Sequence, residues 1–537
     1  MGLVTPTEPV PLDELGRVHF VGIGGAGMSG IARIMLDRGT KVSGSDSGAS
    51  ATLDDLAALG ARVHVGHSAG QLGDADTLVV SSAIRDSNPE LAEARRRGLR
   101  VLHRAAALAS LMFGRRVIAV TGTHGKTTTT SMIATVLLET GAGPAYAIGG
   151  LLAATGTGAA DGPGRDFVAE ADESDGSFLM YAPDVAVVTN IDADHLDNYG
   201  TEQAYRASFA DFLARLKPGG LLVTSADDPG ARDLAVLARA RDVRVVTFGE
   251  SPDADYRVTG IATAGMATAL TIHRQPDNSK KRVSATVQGT KAVGGGGDAT
   301  GDGVADTGQA TAGGESKPNS FGRTGVELRL GVPGQHNALN AAAAFAAAVE
   351  LGISPARAAG ALASYRGAAR RLEPKGEAGG VLVLDTYAHH PTELAADLRA
   401  ARGIIGGRGT GGNGRVIAVF QPHLYSRTRI FAAEFGAALG LADEVVVLDV
   451  YAAREDPEPG VTGRLVADAV PGGPVFGGSV RYVADFGDVP KVVAALAAPG
   501  DLVLTMGAGD ITRMGPLVLA EIAGAAPGAG SPGPSRP

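Results

Sequence analysis

Between Val117 and Thr129 the chain reads VIAVTGTHGKTTT: an apolar strand-like run, a glycine loop, a lysine, a threonine and then a helix-like stretch. That order suits phosphate binding. Loop amides cradle phosphate oxygens, Lys126 neutralises the terminal phosphates and the Thr127 hydroxyl reaches Mg²⁺. The spacing is the short GxxGK[ST] form, because Val120 stands where the usual first glycine would be. A second glycine motif, Gly22-Ile23-Gly24-Gly25-Ala26-Gly27, follows the strand-like Arg17 to Val21, precedes a helix-like stretch and has Asp46 further on. Such a turn brings backbone amides and a helix N-terminus to a diphosphate, which fits NAD and UDP-sugars alike; a tight turn without a ligand is the plain alternative.

Two acidic segments lie in the block of the Lys126 loop. They are Glu170-Ala171-Asp172-Glu173-Ser174-Asp175 and Asn190-Ile191-Asp192-Ala193-Asp194-His195-Leu196-Asp197, each beside an apolar strand. Carboxylate clusters are often only solvated loops. Beside a phosphate loop they also have the hard oxygen chemistry of a nucleotide-borne Mg²⁺. Glu173 and His195 are the expected ligands, His195 an atypical one because imidazole prefers softer metals. A fourth pattern, VPGQHNALN, places His336, Asn337 and Asn340 at the start of an alanine-rich helix. Helix capping explains one asparagine there, but not two with a histidine.

The elements that must position these residues alternate throughout, short β-rich runs with Ala/Leu-rich helical stretches, which argues for α/β units with mainly parallel sheets. Strands are expected at Arg17 to Val21, Lys41 to Ser43, Arg116 to Val120, Val185 to Thr189, Val381 to Leu384, Arg415 to Phe420, Glu444 to Asp449 and Asp501 to Thr505. Helices are expected over Ser29 to Leu36 and Thr127 to Glu139. From about 275 to 322 the Gly, Ala, Thr, Asp and Ser content is that of a flexible insertion, and from about 524 to 537 that of a disordered tail.

With 537 residues the chain exceeds the size at which one core stops growing, so two or three domains are expected. Its 44% hydrophobic and 20% charged content is that of a soluble globular protein. A net charge of -9 without a Lys/Arg stripe argues against nucleic acid as a partner. The lack of cysteine removes disulfides and thiolate chemistry. The N-terminus lacks a signal-peptide pattern and the most apolar run is too short to span a bilayer, so a cytoplasmic enzyme without integral membrane contact is expected.

In order along the chain, GIGGAGMSG, SGSD, SSAI, TGTHGKTTTT, EADESDGSF, TNIDADHLD, VPGQHNALNAAAA, RRLE, HHPTE, FQPH with SRTR, and GAGD resemble the motifs of the Mur ligase family. The resemblance implies three domains: a Rossmann-like UDP-sugar domain over 1–112, a P-loop ATPase-like domain over 113–371 and a Rossmann-like amino-acid domain over 372–537. It implies UDP-sugar contacts at Gly22, Gly24, Gly25, Gly27, Ser45, Asp46 and Ser82. ATP contacts are implied at Gly122, Thr123, His124, Gly125, Lys126, Thr127, Thr128, His336, Asn337, Asn340, Arg370 and Asp385, and metal contacts at Thr127, Glu173 and His195. Lys126, His389, His423 and Arg427 would be catalytic, with Tyr387 facing the reacting carboxylate and amino acid.

Within the family the pattern looks like the branch that joins L-alanine to the carboxylate of UDP-N-acetylmuramate through an acyl phosphate, using ATP and Mg²⁺, as a monomer or weak homodimer. Where relatives commonly read DDYGHHP this chain has DTYAHHP, and Leu424 follows the PH of FQPH where many have a basic residue. No lysine closely follows TNIDADHLD, which agrees with the alanine-adding branch rather than with members that carry a carbamylated lysine. The alternatives are a recycling ligase that adds a tripeptide, an NAD-dependent oxidoreductase and a nucleotide-switched binding protein.

Overall fold

The computed structural model describes residues 3–275, 325–407, 414–453, 455–471 and 478–525. From residue 276 the expected insertion lies outside the described residues, as does the expected tail from residue 526. No described helix is long and apolar enough to cross a membrane.

The described strands form three sheets. The first contains β1 (Val18–Val21), β2 (Val42–Asp46), β3 (Arg62–Val65), β4 (Thr77–Val80) and β5 (Arg100–His103) in the order β3-β2-β1-β4-β5. Its pairings are all parallel. The strand order reverses beside β1, and the GIGGAG turn opens there, at the crevice where doubly wound sheets take ligands. Helix Ala26–Asp37 follows the turn and buries Met28, Ile31, Ala32, Ile34 and Met35, a stripe at helical spacing.

The second sheet comprises β6 (Arg116–Thr121), β7 (Ala145–Leu152), β8 (Thr157–Ala160), β9 (Asp166–Glu170), β10 (Val185–Val188), β11 (Leu221–Ser225), β12 (Arg244–Gly249), β13 (Tyr256–Ala264), β14 (Ala267–Arg274) and β15 (Val326–Leu330). Their order is β15-β14-β13-β12-β11-β10-β6-β9-β7-β8, so β6 lies inside the sheet between β10 and β9. Strands buried on both faces read as continuous apolar runs, and β6 and β10 do. Helix Lys126–Glu139 leaves β6 and is buried from Thr127 to Leu137. Its hydroxyls tolerate this because Thr130 donates to the Lys126 carbonyl and Thr135 to that of Ser131. Helix Gln335–Glu350 packs beside it, its alanines allowing close approach and Phe345 filling the core with no exposure.

The third sheet has β16 (Glu373–Ala378), β17 (Val381–Thr386), β18 (Val416–Phe420), β19 (Glu444–Val447), β20 (Val480–Tyr482) and β21 (Leu502–Met506), ordered β16-β17-β21-β18-β19-β20. Only β16 is antiparallel to its neighbour. Residues 112 and 371 both fall between sheets. At the second junction Arg370 and Leu372 take left-handed φ values of 58° and 50°, a conformation costing roughly 1–2 kcal/mol for a residue with a Cβ. The Arg370 guanidinium holds this turn by donating to the Gly507 carbonyl at 2.6 Å and to Asp385 at 3.2 Å.

Candidate active site

The Lys126 loop is shaped by its glycines and by Asn190. Gly122 has φ +123° and Gly125 φ +82°; a Cβ on Gly125 would come within 2.4 Å of Asn340 Oδ1, and one on Gly122 within 2.3 Å of Thr189 Oγ1. Asn190 brackets the peptide of His124, accepting from its N-H at 2.9 Å and donating to its carbonyl at 3.0 Å. Lys126 Nζ lies over the loop, donating to the carbonyls of Gly122 and Thr123 and to Glu173 Oε1 at 2.8 Å. Burial opposes the lysine charge, but Glu173, Asp172 and Glu170 outweigh it and raise its pKa.

The acidic segments are not solvated loops: Glu173 is wholly buried, and Asp194 and Asp175 nearly so. Burial pushes the Glu173 carboxyl up to about 7, against the pull of Lys126. Its Oε2 is buried without a hydrogen-bond partner, and His195 Nε2 lies 3.7 Å from Oε1. His195 takes φ 53°, a left-handed strain of the kind that collects at functional sites. Thr127 Oγ1 donates to Glu170 Oε1 at 3.0 Å. Orphaned, buried, hard oxygen beside a phosphate loop is a donor set that fits Mg²⁺. Glu173 and His195 are thus brought together beside Lys126, and Thr127, the next residue, pairs with Glu170.

The other carboxylates of these segments reach across domains. Arg104 of the first domain meets Asp172 at 2.7 Å, and Ser82 Oγ donates to Asp175 at 2.6 Å. Toward the third domain, Asp194 accepts from Arg427 at 2.9 Å and Asp192 from Thr392 Oγ1 at 3.0 Å. His124 lies between Asp192, 3.5 Å away, and Glu393, to which Nδ1 donates at 3.2 Å. Burial opposes its charge, but the two carboxylates raise the His124 pKa to about 9.

A cavity of about 400 Å³ opens between the Lys126 loop, the helix Gln335–Glu350 and the third domain. His124, Gly125, Thr128, His336, Asn337 and Asn340 all line it. Asn340 Oδ1 accepts from Thr129, and Asn337 Nδ2 donates to the Pro333 carbonyl, so each is held by one bond and faces the cavity. Arg370 and Asp385 stand apart from this lining. Asp385 is wholly buried and accepts from Arg370, Thr505 and Thr512, while Arg371 lines the cavity instead. The adjacent arginines of RRLE are not separable by sequence position alone.

In the third domain His389 Nδ1 donates to the Tyr387 carbonyl at 3.0 Å, leaving Nε2 as the acceptor. Burial, reinforced by the charge of Arg427, holds its pKa down at about 3, so the ring is neutral. His423 lies 6.1 Å from His389, ring to ring, and stacks on Tyr451. Leu424 has φ 70° where it starts helix Tyr425–Leu439, which turns Arg427 inward to Asp194.

At the first glycine motif, the Gly24 N-H donates to Asp46 Oδ2 at 2.9 Å, and Ser45 Oγ donates to the buried Glu90 at 2.6 Å. Gly22 has φ +78°, Gly25 starts the following helix and Gly27 faces Arg104. Asp46 thus closes on its own loop. Sequence reasoning missed Glu90, Glu170, Asn190, Arg371 and Glu393 as site-shaping residues. Glu170, Asn190, Arg371 and Glu393 stand inside motifs already singled out, and Glu90 is the last residue of Asn88-Pro89-Glu90, which follows SSAI and also has a counterpart in the family; that membership was the available signal.

Three family models match the chain: the Mur ligase family catalytic domain over residues 17–116, the Mur ligase middle domain over 120–294 and the Mur ligase glutamate ligase domain over 370–509. The chain belongs to the Mur ligase family. It is 53% identical over 521 residues to the UDP-N-acetylmuramate--L-alanine ligase of Thermobifida fusca, covering 97% of this chain and 99% of that one. Its identity to the ligase of the same name from Kineococcus radiotolerans is 54%, over 94% and 96%. Among solved Mur ligase structures, the UDP-N-acetylmuramate-alanine ligase of Thermotoga maritima superposes with TM-score 0.72 at 28% identity, over 95% and 99%. A murein peptide ligase from Psychrobacter arcticus shares the fold, with TM-score 0.63 at 22% identity over 95% and 100%.

Proposed function

We propose that this Mur ligase joins L-alanine to the carboxylate of UDP-N-acetylmuramate, using ATP and Mg²⁺ and releasing ADP and phosphate. The observation that carries the reading is near-full-length identity of 53% to a relative of that name. The first domain would hold the UDP-sugar, the central domain ATP and the third domain alanine, in the cytoplasm, as a monomer or weak homodimer.

A carboxylate is a poor electrophile at neutral pH. Its oxygen therefore attacks the γ-phosphorus of ATP, the bond to ADP breaks, and the acyl phosphate formed is attacked by the alanine amine with loss of phosphate. Lys126 and the amides from Gly122 to Thr128 neutralise the phosphoryl group during transfer. Thr127, Glu170, Glu173 and His195 would hold Mg²⁺, which supplies charge neutralisation between the two anions. His389, neutral and with Nε2 free to accept, takes a hydrogen bond from the amine and orients it; with a pKa of about 3 it is too weak a base to keep the proton, which leaves on the departing phosphate. Arg427, held beside it by Asp194, places positive charge near the developing oxyanion, and His423 flanks His389. The contacts of Asp192, Asp194 and His124 with the third domain close the site and exclude water, without which the acyl phosphate would hydrolyse.

The test is phosphate release from MgATP with UDP-N-acetylmuramate and L-alanine, glycine, L-serine or a cell-wall tripeptide as acceptor. Release that requires both substrates and is fastest with L-alanine is expected. Preference for the tripeptide, or no release with any acceptor, overturns the reading.

A further inference from the structure

His124, Asp192 and His390 place one ligand atom each within 4.8 Å of one another, at the seam between the central and third domains. His390 Nε2 is buried without a hydrogen-bond partner, the residue being only 4% exposed, and His124 Nε2 is buried with no closer partner than Asp192 at 3.5 Å. The two imidazoles lie 4.7 Å apart, centroid to centroid. An orphaned ring nitrogen in a buried seam is costly unless something meets it.

We infer that His124, Asp192 and His390 form a second cation site, selective for a borderline divalent ion such as Zn²⁺ and separate from the oxygen-rich site at Glu173. The donor set is what separates them: two imidazoles and one carboxylate suit Zn²⁺, while Mg²⁺ prefers oxygen and keeps its waters. Zn²⁺ bonds of about 2.0–2.1 Å place tetrahedral donors roughly 3.4 Å apart. The 3.5 Å between His124 Nε2 and Asp192 Oδ2 already matches that spacing. Glu393, accepting from His124 Nδ1 at 3.2 Å, is the outer carboxylate that commonly orients a zinc-bound histidine and fixes its tautomer.

Binding displaces a proton from His124 and requires His390 to carry its proton on Nδ1, giving up a long 3.4 Å cap to the Thr392 N-H. Three protein ligands leave a fourth position. His124 and Asp192 line the nucleotide cavity, so that position opens toward it. The ion would pin the Lys126 loop and the Asp192 segment to the third domain.

The experiment is Zn²⁺ titration of the untagged full chain against a chromophoric chelator, in millimolar Mg²⁺, with Co²⁺ as a spectroscopic substitute. One tight Zn²⁺ per chain is expected, with visible d–d absorption of tetrahedral Co²⁺. Affinity should fall at least about tenfold in His390→Gln and in Asp192→Asn, and stay unchanged in Glu173→Gln. Circular dichroism of each variant separates loss of the site from loss of the fold. The inference is overturned if wild type binds no Zn²⁺ under these conditions, if folded His390→Gln binds it as tightly, or if Glu173→Gln is the variant that loses it. None of these readouts depends on which amino acid the ligase adds.

Discussion

Glu393 is the carboxylate on which the seam between nucleotide loop and third domain turns, and Glu393→Gln is the sharpest perturbation of it. One oxygen accepts from His124 Nδ1 at 3.2 Å, the other from the His389 N-H at 3.0 Å. Burial opposes its charge, yet the two histidines hold its pKa well below the usual carboxylate range. Glutamine keeps the shape and one acceptor, but loses the charge and presents an NH₂ to one of the two donors. A hydrogen bond to a charged group contributes about 1.5–3 kcal/mol, so the closed state should lose about one such bond. If closure is needed for transfer, kcat/KM for ATP falls roughly ten- to hundredfold, at about 1.4 kcal/mol per factor of ten. Binding of UDP-N-acetylmuramate, measured by calorimetry, should be unchanged because its proposed domain does not touch Glu393. A double-mutant cycle with His124→Gln should give a coupling of about 1–3 kcal/mol in kcat/KM. Additive effects within about 0.5 kcal/mol would refute the reasoning, since the contact would then be absent from the working enzyme.

Lys126→Ala should lower ATP-dependent ligation at least about a hundredfold while sparing UDP-sugar binding; joint loss in calorimetry would mean that the domain assignment fails. His389, with its pKa near 3 against 6.5 unfolded, binds a proton in the unfolded chain before the folded one. Stability should therefore decline as pH falls from about 6.5 toward 3, by a few kcal/mol from this residue, and level off below. His389→Gln should flatten that acid limb in thermal scans between pH 7 and 5; an unchanged slope would count against a buried neutral ring. Phe345→Ala opens a cavity at a site with no exposure and should destabilise the central domain by about 3–5 kcal/mol, read as a lower thermal midpoint.

The strands were legible because parallel strands buried on both faces are short apolar runs: Arg116 to Val120 was expected and Arg116–Thr121 forms. Ends were less so. The expected helix start at Ser29 lies at Ala26, because the glycines that make the turn also hide where it ends. The Lys126 loop was legible because its parts are contiguous. Arg370 and Arg371 show the limit: two like residues, adjacent at a strained turn, meet different partners, Arg370 pairing with Asp385 and Arg371 lining the cavity.

The acidic segments show why the rest of the site was hidden. Of their carboxylates the sequence singles out only Glu173 as a metal ligand, and the partners of the others divide them. Glu170 and Glu173 face the phosphate loop, Asp172 and Asp175 hold the first domain, and Asp192 and Asp194 hold the third. Arg427 and Asp194 are 233 residues apart, so no local pattern could pair them. The division has a physical consequence. A displacement of the first domain pulls on the segment that carries Glu173, which touches Lys126, and one of the third domain pulls on the segment that carries His195, 3.7 Å from Glu173, so phosphate-loop geometry and domain closure share these two short stretches of backbone. A ligase that must shield an acyl phosphate from water needs that coupling, because transfer in an open molecule would waste ATP.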